Sequence, residues 1–166
     1  MPAAAIAIVA GVAGWVATRS LQQDFAAYWV AGAARRAGLD PYVNHLGGAS
    51  APDLWDGVAV FAHSRFLYPP IVADLFRGFA HLPYSVAKAL FTGLMVAAWV
   101  GAATATARAV GGRRARAVAF AAGALFYPLH LALERGQVEP LVLLLLAAAF
   151  APAGRRPSGA ALAAAV

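Results

Sequence analysis

Apolar residues in this chain come in long uncharged blocks separated by short charged stretches, and the lengths of those blocks set the first expectations. Met1 to Ala17 carries no charged residue. At about 1.5 Å of rise per residue it crosses a bilayer if the helix runs slightly further. It has neither a basic leader nor a small-x-small cleavage site, so it reads as a retained span and not as a signal peptide. Tyr84 to Ala107 is the clearest span, with Lys88 one turn in, where its amine can snorkel to the interface. Ala117 to Leu133 predicts a third span and Val138 to Ala153 a fourth, built on Leu141 to Leu146. Gly159 to Val166 opens like a fifth. The expectation is one membrane domain over 1–166, with spans at about 1–18, 84–107, 117–133 and 138–153, the start of a fifth from 159, and a long loop over 19–83. Because the last block is cut short, the expectation is an N-terminal piece of a longer fold, a frameshifted product or a degenerate copy.

The long loop has its own pattern. Phe25, Tyr28, Trp29 and Gly32 recur at three- and four-residue spacing, which predicts an amphipathic helix with one apolar face. Asp24 stands at its start, where an N-cap carboxylate is favoured by the positive end of the helix dipole. Gly38 suits a left-handed C-terminal cap, and Pro41 prevents the helix from resuming. A turn-rich stretch follows from Asn44 to Asp56, with Gly47, Gly48 and Pro52. Ile71 to Leu82 is too short and, with Asp74 and Arg77, too charged to span; it predicts a helix lying along the membrane. Tyr68, Tyr84 and the tryptophans fit an interfacial aromatic belt.

Composition agrees with this class. Hydrophobic residues make up 62% of the chain and charged residues 12%, against about a quarter charged in soluble domains, and mean hydropathy is +0.69. The fold class is all-α, a polytopic transmembrane helical protein. A net charge of +6 does not point to nucleic acid, because the arginines flank apolar blocks and form no stripe with aromatics. Arg108, Arg113, Arg114 and Arg116 follow the second span, and Arg155 and Arg156 follow the fourth, so both loops are expected to be cytoplasmic. That places the N-terminus inside and the 19–83 loop outside. Arg19, Arg35 and Arg36 pull the other way, but a long loop obeys the charge rule weakly.

With this topology, three unusual stretches share the outer side: DFAAYW at 24–29, YPP at 68–70 and RGQVEP at 135–140. An acid so close to a span is seldom placed there without a reason. Asp24 is therefore the first candidate for chemistry, beside its simpler reading as a helix cap. Zero cysteines exclude disulfides and thiolate chemistry. Asp53 and Asp56 are not spaced as a DxD signature, and His45, His63, His81 and His130 lack metal-ligand spacing, so no divalent metal or other cofactor is expected. His130 fits a packed helix residue better than a ligand.

Taken in order, DF-x-x-YW-x-AG-x-A, G-x-DPY, F-x-YPP before a short helix ending in LP, and GQV after an apolar span resemble glycosyltransferase family 87. The similarity runs from about residue 20 to the end of the chain. It implies a GT-C-type membrane fold of the mannosyltransferase kind. It also implies transfer of a hexose, typically mannose, from a polyprenyl-phosphate donor to a lipid or glycan acceptor on the outer face of the plasma membrane. It places an acidic residue in the first outer loop, a position that Asp24 matches. Glu139 departs from the family, which commonly has asparagine after GQV, and the family continues with further spans.

A glycosyl acceptor needs a general base, the role Asp24 would take, and a leaving phosphate needs positive charge or donors. Arg65, Arg135 and His45 are candidates on the correct side, although an arginine beside a membrane also contacts lipid head groups. Tyr28 and Tyr68 are candidates for stacking on a sugar, with packing as the plainer role. Gln137 suits a sugar hydroxyl or a cap on the fourth span. A non-catalytic or degenerate membrane protein of the same topology is the alternative. A small transporter would need more polar residues within the spans.

Overall fold

The computed structural model describes residues 2–20, 22–43 and 65–150, which form helices and turns with no strand among them. The turn-rich stretch, His45 and the expected fifth span lie outside the described residues. The elements are α1 (Pro2–Arg19), α2 (Gln23–Arg36), α3 (Pro70–Phe76), a 3-10 turn (Phe79–His81), α4 (Tyr84–Val110), α5 (Gly112–Leu125), α6 (Tyr127–Arg135) and α7 (Glu139–Phe150). The 18 residues of α1 and the 27 of α4 are long and apolar enough to cross a membrane. The chain is a helical membrane protein. The apolar α7 has 12 residues.

Where the hydropathy pattern predicts one helix over 117–133, the chain bends by 54° between α5 and α6. The cause is Pro128, in the first turn of α6, which has no N–H to offer the carbonyl four residues back. That carbonyl belongs to Ala124, and His130 Nε2 takes the proline's place as donor at 2.7 Å. The histidine is thus a packed helix residue with a defined task.

The residues gather into two compact units. One comprises Met1–Val12, Met95–His130 and Val138–Val166. In it, Trp99 meets Phe120 edge-on at 5.7 Å, and Gly123 admits the indole, since a Cβ there would collide with Trp99 Nε1. A Cβ on Gly101 would lie 3.0 Å from Leu144 Cδ1. Small residues letting neighbours approach is how helices associate in lipid, where apolar burial gives no preference for protein over solvent.

The other unit comprises Ala13–Leu94 and Leu131–Gln137 and carries the polar features. The predicted face of α2 is buried: Phe25 is 0% exposed, Tyr28 1% and Trp29 2%. The Phe25 ring stacks on Phe91 at 4.7 Å and meets Phe76, Phe79 and Tyr84 at 5.6 to 6.1 Å. Such ring pairs contribute about 0.5–1.5 kcal/mol each beyond burial. A 14-residue helix is marginal alone, so this cluster fixes α2 in place. Gly32 lets α2 approach α3, because a Cβ there would lie 2.5 Å from the Phe76 carbonyl oxygen. Trp29 Nε1 donates to Leu82 O and Arg36 to Ala80 O, tying α2 to the 3-10 turn. Pro70 starts α3, where the missing N–H costs nothing.

Candidate functional site

The site is built where two helix ends meet. At the end of α6, Gly136 turns left-handed with φ +73°. Its N–H donates to Leu133 O at 3.2 Å, and the N–H of Gln137 donates to Ala132 O at 2.8 Å. This is the Schellman closure, which satisfies carbonyls that a helix end leaves without partners. The turn also lies against the start of α2: a Cβ on Gly136 would sit 2.6 Å from Phe25 Cβ and 2.9 Å from Gln22 Cβ.

The link from α1 to α2 is clasped to the same carbonyls. Ser20 Oγ donates to Glu134 O at 2.8 Å and accepts the Gln22 N–H. Gln22, 1% exposed and left-handed at φ 54°, donates from Nε2 to Leu133 O and to Thr92 Oγ1. Lys88 is buried, and its Nζ reaches the end of α1, donating to Ser20 O at 2.7 Å, a carbonyl at the negative end of that helix.

Between these clasps stands Asp24. It is not the N-cap. Gln22 holds that position without a side-chain cap bond, and Asp24 lies in the first turn, still at the positive end of α2. Gln137 Nε2 donates to Asp24 Oδ2 at 2.8 Å. The half-buried Asp24 also lines a depression of about 260 Å³ together with Ala27, Arg65, Leu67 and Tyr68. Tyr68 is held from two sides: its hydroxyl bonds the Tyr28 hydroxyl at 2.8 Å, and its carbonyl accepts from Tyr42 Oη at 2.8 Å. Tyr42 is in turn set by a turn in which its N–H bonds Asp40 Oδ1.

The structure therefore joins residues of the three stretches that were expected to share one side. Asp24, Arg65 and Tyr68 share the depression, and Gln137 is bonded to Asp24. Tyr28 is buried and reaches the site through the Tyr68 hydroxyl. Arg135 is an exposed residue in the last turn of α6, and His45 lies outside the described residues. Sequence reasoning missed Tyr42, whose signal was the DPY after Gly38, and Gly136, whose signal was a glycine just beyond an apolar helix. It also missed Gln22, which periodicity does not flag.

Nearby, Arg35 grips Asp74 through two bonds of 3.0 and 3.2 Å. The guanidinium holds the Asp74 carboxyl below the usual carboxylate range, and Asp74 in return raises Arg35. Among the described residues, no three His, Asp or Glu side chains gather as metal ligands would.

Asp24, Arg65 and Tyr68 thus stand around one depression of a helical membrane protein. The profile of glycosyltransferase family 87 matches residues 66–166, and the chain belongs to that family of membrane glycosyltransferases. No curated protein and no solved structure matches the chain. The matched region contains Tyr68 and Gln137, while Asp24 lies before it and reaches it through the contacts just described.

Proposed function

We propose that the chain transfers a hexose, mannose by its family resemblance, from a polyprenyl-phosphate donor to a lipid or glycan acceptor on the outer face of the plasma membrane. The observation that carries this reading is the placement of Asp24 beside Arg65 and Tyr68 in one depression. At about 260 Å³ it lies below the roughly 300–1,000 Å³ of ordinary ligand pockets, a size for a single sugar ring whose lipid tail stays in the membrane. Asp24 takes the proton of the acceptor hydroxyl as its oxygen attacks the anomeric carbon. The bond from that carbon to the phosphate oxygen breaks, and the electron pair leaves with the phosphate. Arg65 offsets the charge that builds there, and Tyr68 offers a ring face and hydroxyl to the sugar. Arg135 and, in the chain beyond the described residues, His45 are further candidates for the phosphate.

Support for the outward orientation comes from the arginines that oppose it. Arg35 is engaged by Asp74 and Arg36 by the Ala80 carbonyl, so both serve packing within a long loop, where the charge rule acts weakly. The arginine-rich turn after α4 supports an inner position for that end.

The test is Asp24→Asn in the full chain, assayed in membranes with a polyprenyl-phosphate hexose donor. Transfer should fall by about 10²- to 10⁴-fold, the usual contribution of a general base, while insertion into the membrane is unchanged. Full transfer by the variant sinks the assignment of Asp24. No transfer by the unaltered chain, and no glycolipid change on its deletion, favours the non-catalytic alternative.

A further inference from the structure

We infer that Gln137 is a positioning residue for Asp24 and does not bind the sugar; this rests on the reading of Asp24 as the base. A carboxylate only accepts hydrogen bonds, so the amide nitrogen of Gln137 must be the group that faces it. That contact, Nε2 to Oδ2 at 2.8 Å, commits the amide to the base, and Gln137 is not among the described residues that line the depression.

Both ends of the contact are anchored. The backbone of Gln137 is fixed by its N–H bond to Ala132 O, and the preceding Gly136 is pressed against Phe25 and Gln22. Asp24 is fixed because its neighbour Phe25 is wholly buried among aromatic rings. The last carbonyls of α6 at 133 and 134 are clasped by Gln22 and Ser20, from the link that leads into Asp24. The 2.8 Å contact therefore joins two rigid frames, and the amide sets the plane of the carboxylate. Proton abstraction depends on an oxygen lying within hydrogen-bond reach of the acceptor hydroxyl, so holding this plane acts on turnover and not on substrate affinity.

The experiment compares Gln137→Ala and Gln137→Glu with the unaltered full chain in membranes, each also in an Asp24→Asn background. Gln137→Ala should lower kcat about tenfold to a hundredfold, the range for loss of a hydrogen bond to a charged group, with KM for donor and acceptor changed less than about threefold. Gln137→Glu, which sets two carboxylates against each other, should be at least as impaired. In the Asp24→Asn background neither change should cause a further loss. A raised KM with kcat kept overturns the inference in favour of direct sugar binding, and so does an equal further loss in the Asp24→Asn background. If Asp24→Asn is itself fully active, the base reading fails, a result distinct from an unchanged Gln137→Ala beside an inactive Asp24→Asn. Placement has a readout that needs no activity. The chain has no cysteine, so Asp24→Cys with Gln137→Cys reports the contact alone. This pair should join under a short bis-maleimide in the membrane, and its failure to do so in inserted protein overturns the inference.

Discussion

The helices α2 and α6 close with the same backbone turn. In each, a left-handed glycine follows the last helical residues, with φ of +74° at Gly38 and +73° at Gly136, and two N–H groups reach back. Leu39 donates to Ala34 O and Gln137 to Ala132 O, both at 2.8 Å. The surroundings differ. Among the described residues nothing lies within 4 Å of where a Gly38 Cβ would be, whereas at Gly136 the space is taken by Phe25 and Gln22. Among the described residues, Gly38 serves its own helix end. Gly136 serves the turn, the packing of α2 and the delivery of Gln137 to Asp24, so identical chain geometry carries different weight at the two positions.

The contrast is sharpest under alanine. Gly136→Ala forces a side chain into left-handed backbone, about 1–2 kcal/mol, and also into the Phe25 contact, where overpacking costs about 1–3 kcal/mol. A loss of about 2–5 kcal/mol is expected in thermal or denaturant unfolding of the detergent-solubilised protein, together with loss of transfer. A tolerated Gly136→Ala would show that α6 and α2 are not packed at this turn. Gln22→Met keeps the length of the side chain but removes its donors. The partners keep other bonds, because Leu133 O still accepts from Gly136 and Thr92 Oγ1 still donates to Lys88 O. The expected loss is therefore only about 1–2 kcal/mol. Gly38→Ala meets the backbone strain with no collision among the described residues, about 1 kcal/mol, and should leave transfer unchanged. Comparable losses at Gly38 and Gly136 would erase the distinction between the turns.

Much of this was readable before any coordinates. The buried face of α2 follows from the spacing of Phe25, Tyr28, Trp29 and Gly32. Its end follows from Gly38 and Pro41, because helical period and glycine chemistry are local properties. Counting spans led to the expectation that the 24–29, 68–70 and 135–140 stretches converge, and Asp24, Tyr68 and Gln137 do meet. Other features were not local. The bond from Gln137 to Asp24 joins residues 113 positions apart, and no periodicity encodes a partner at that range. Asp24 fitted an N-cap by residue type alone, yet the chain enters α2 through a left-handed Gln22, a conformation that clasping to α6 imposes. The break at Phe126 had a visible signal in Pro128, overridden by an otherwise continuous apolar run.

The smallest effect belongs to the open turn. Arg35, whose carbonyl accepts the Gly38 N–H, also holds Asp74 on α3 from the exposed side. Asp74 has a folded-state pKa below its ordinary value, so the folded form favours the ionised carboxyl. The stabilisation is present above the ordinary carboxylate range, near 4, and is lost as pH falls through the depressed folded value. Because both partners are exposed and solvent screens them, the contribution is slight. Melting temperatures of the unaltered chain and Asp74→Asn should differ slightly at neutral pH, converge in acid, and converge also in high salt. A difference that persists in acid would mean that Asp74 matters through packing of α3 and not through its charge. A large difference at neutral pH would mean that this exposed pair, and not the approach of α2 and α3 at Gly32, holds the open end of α2.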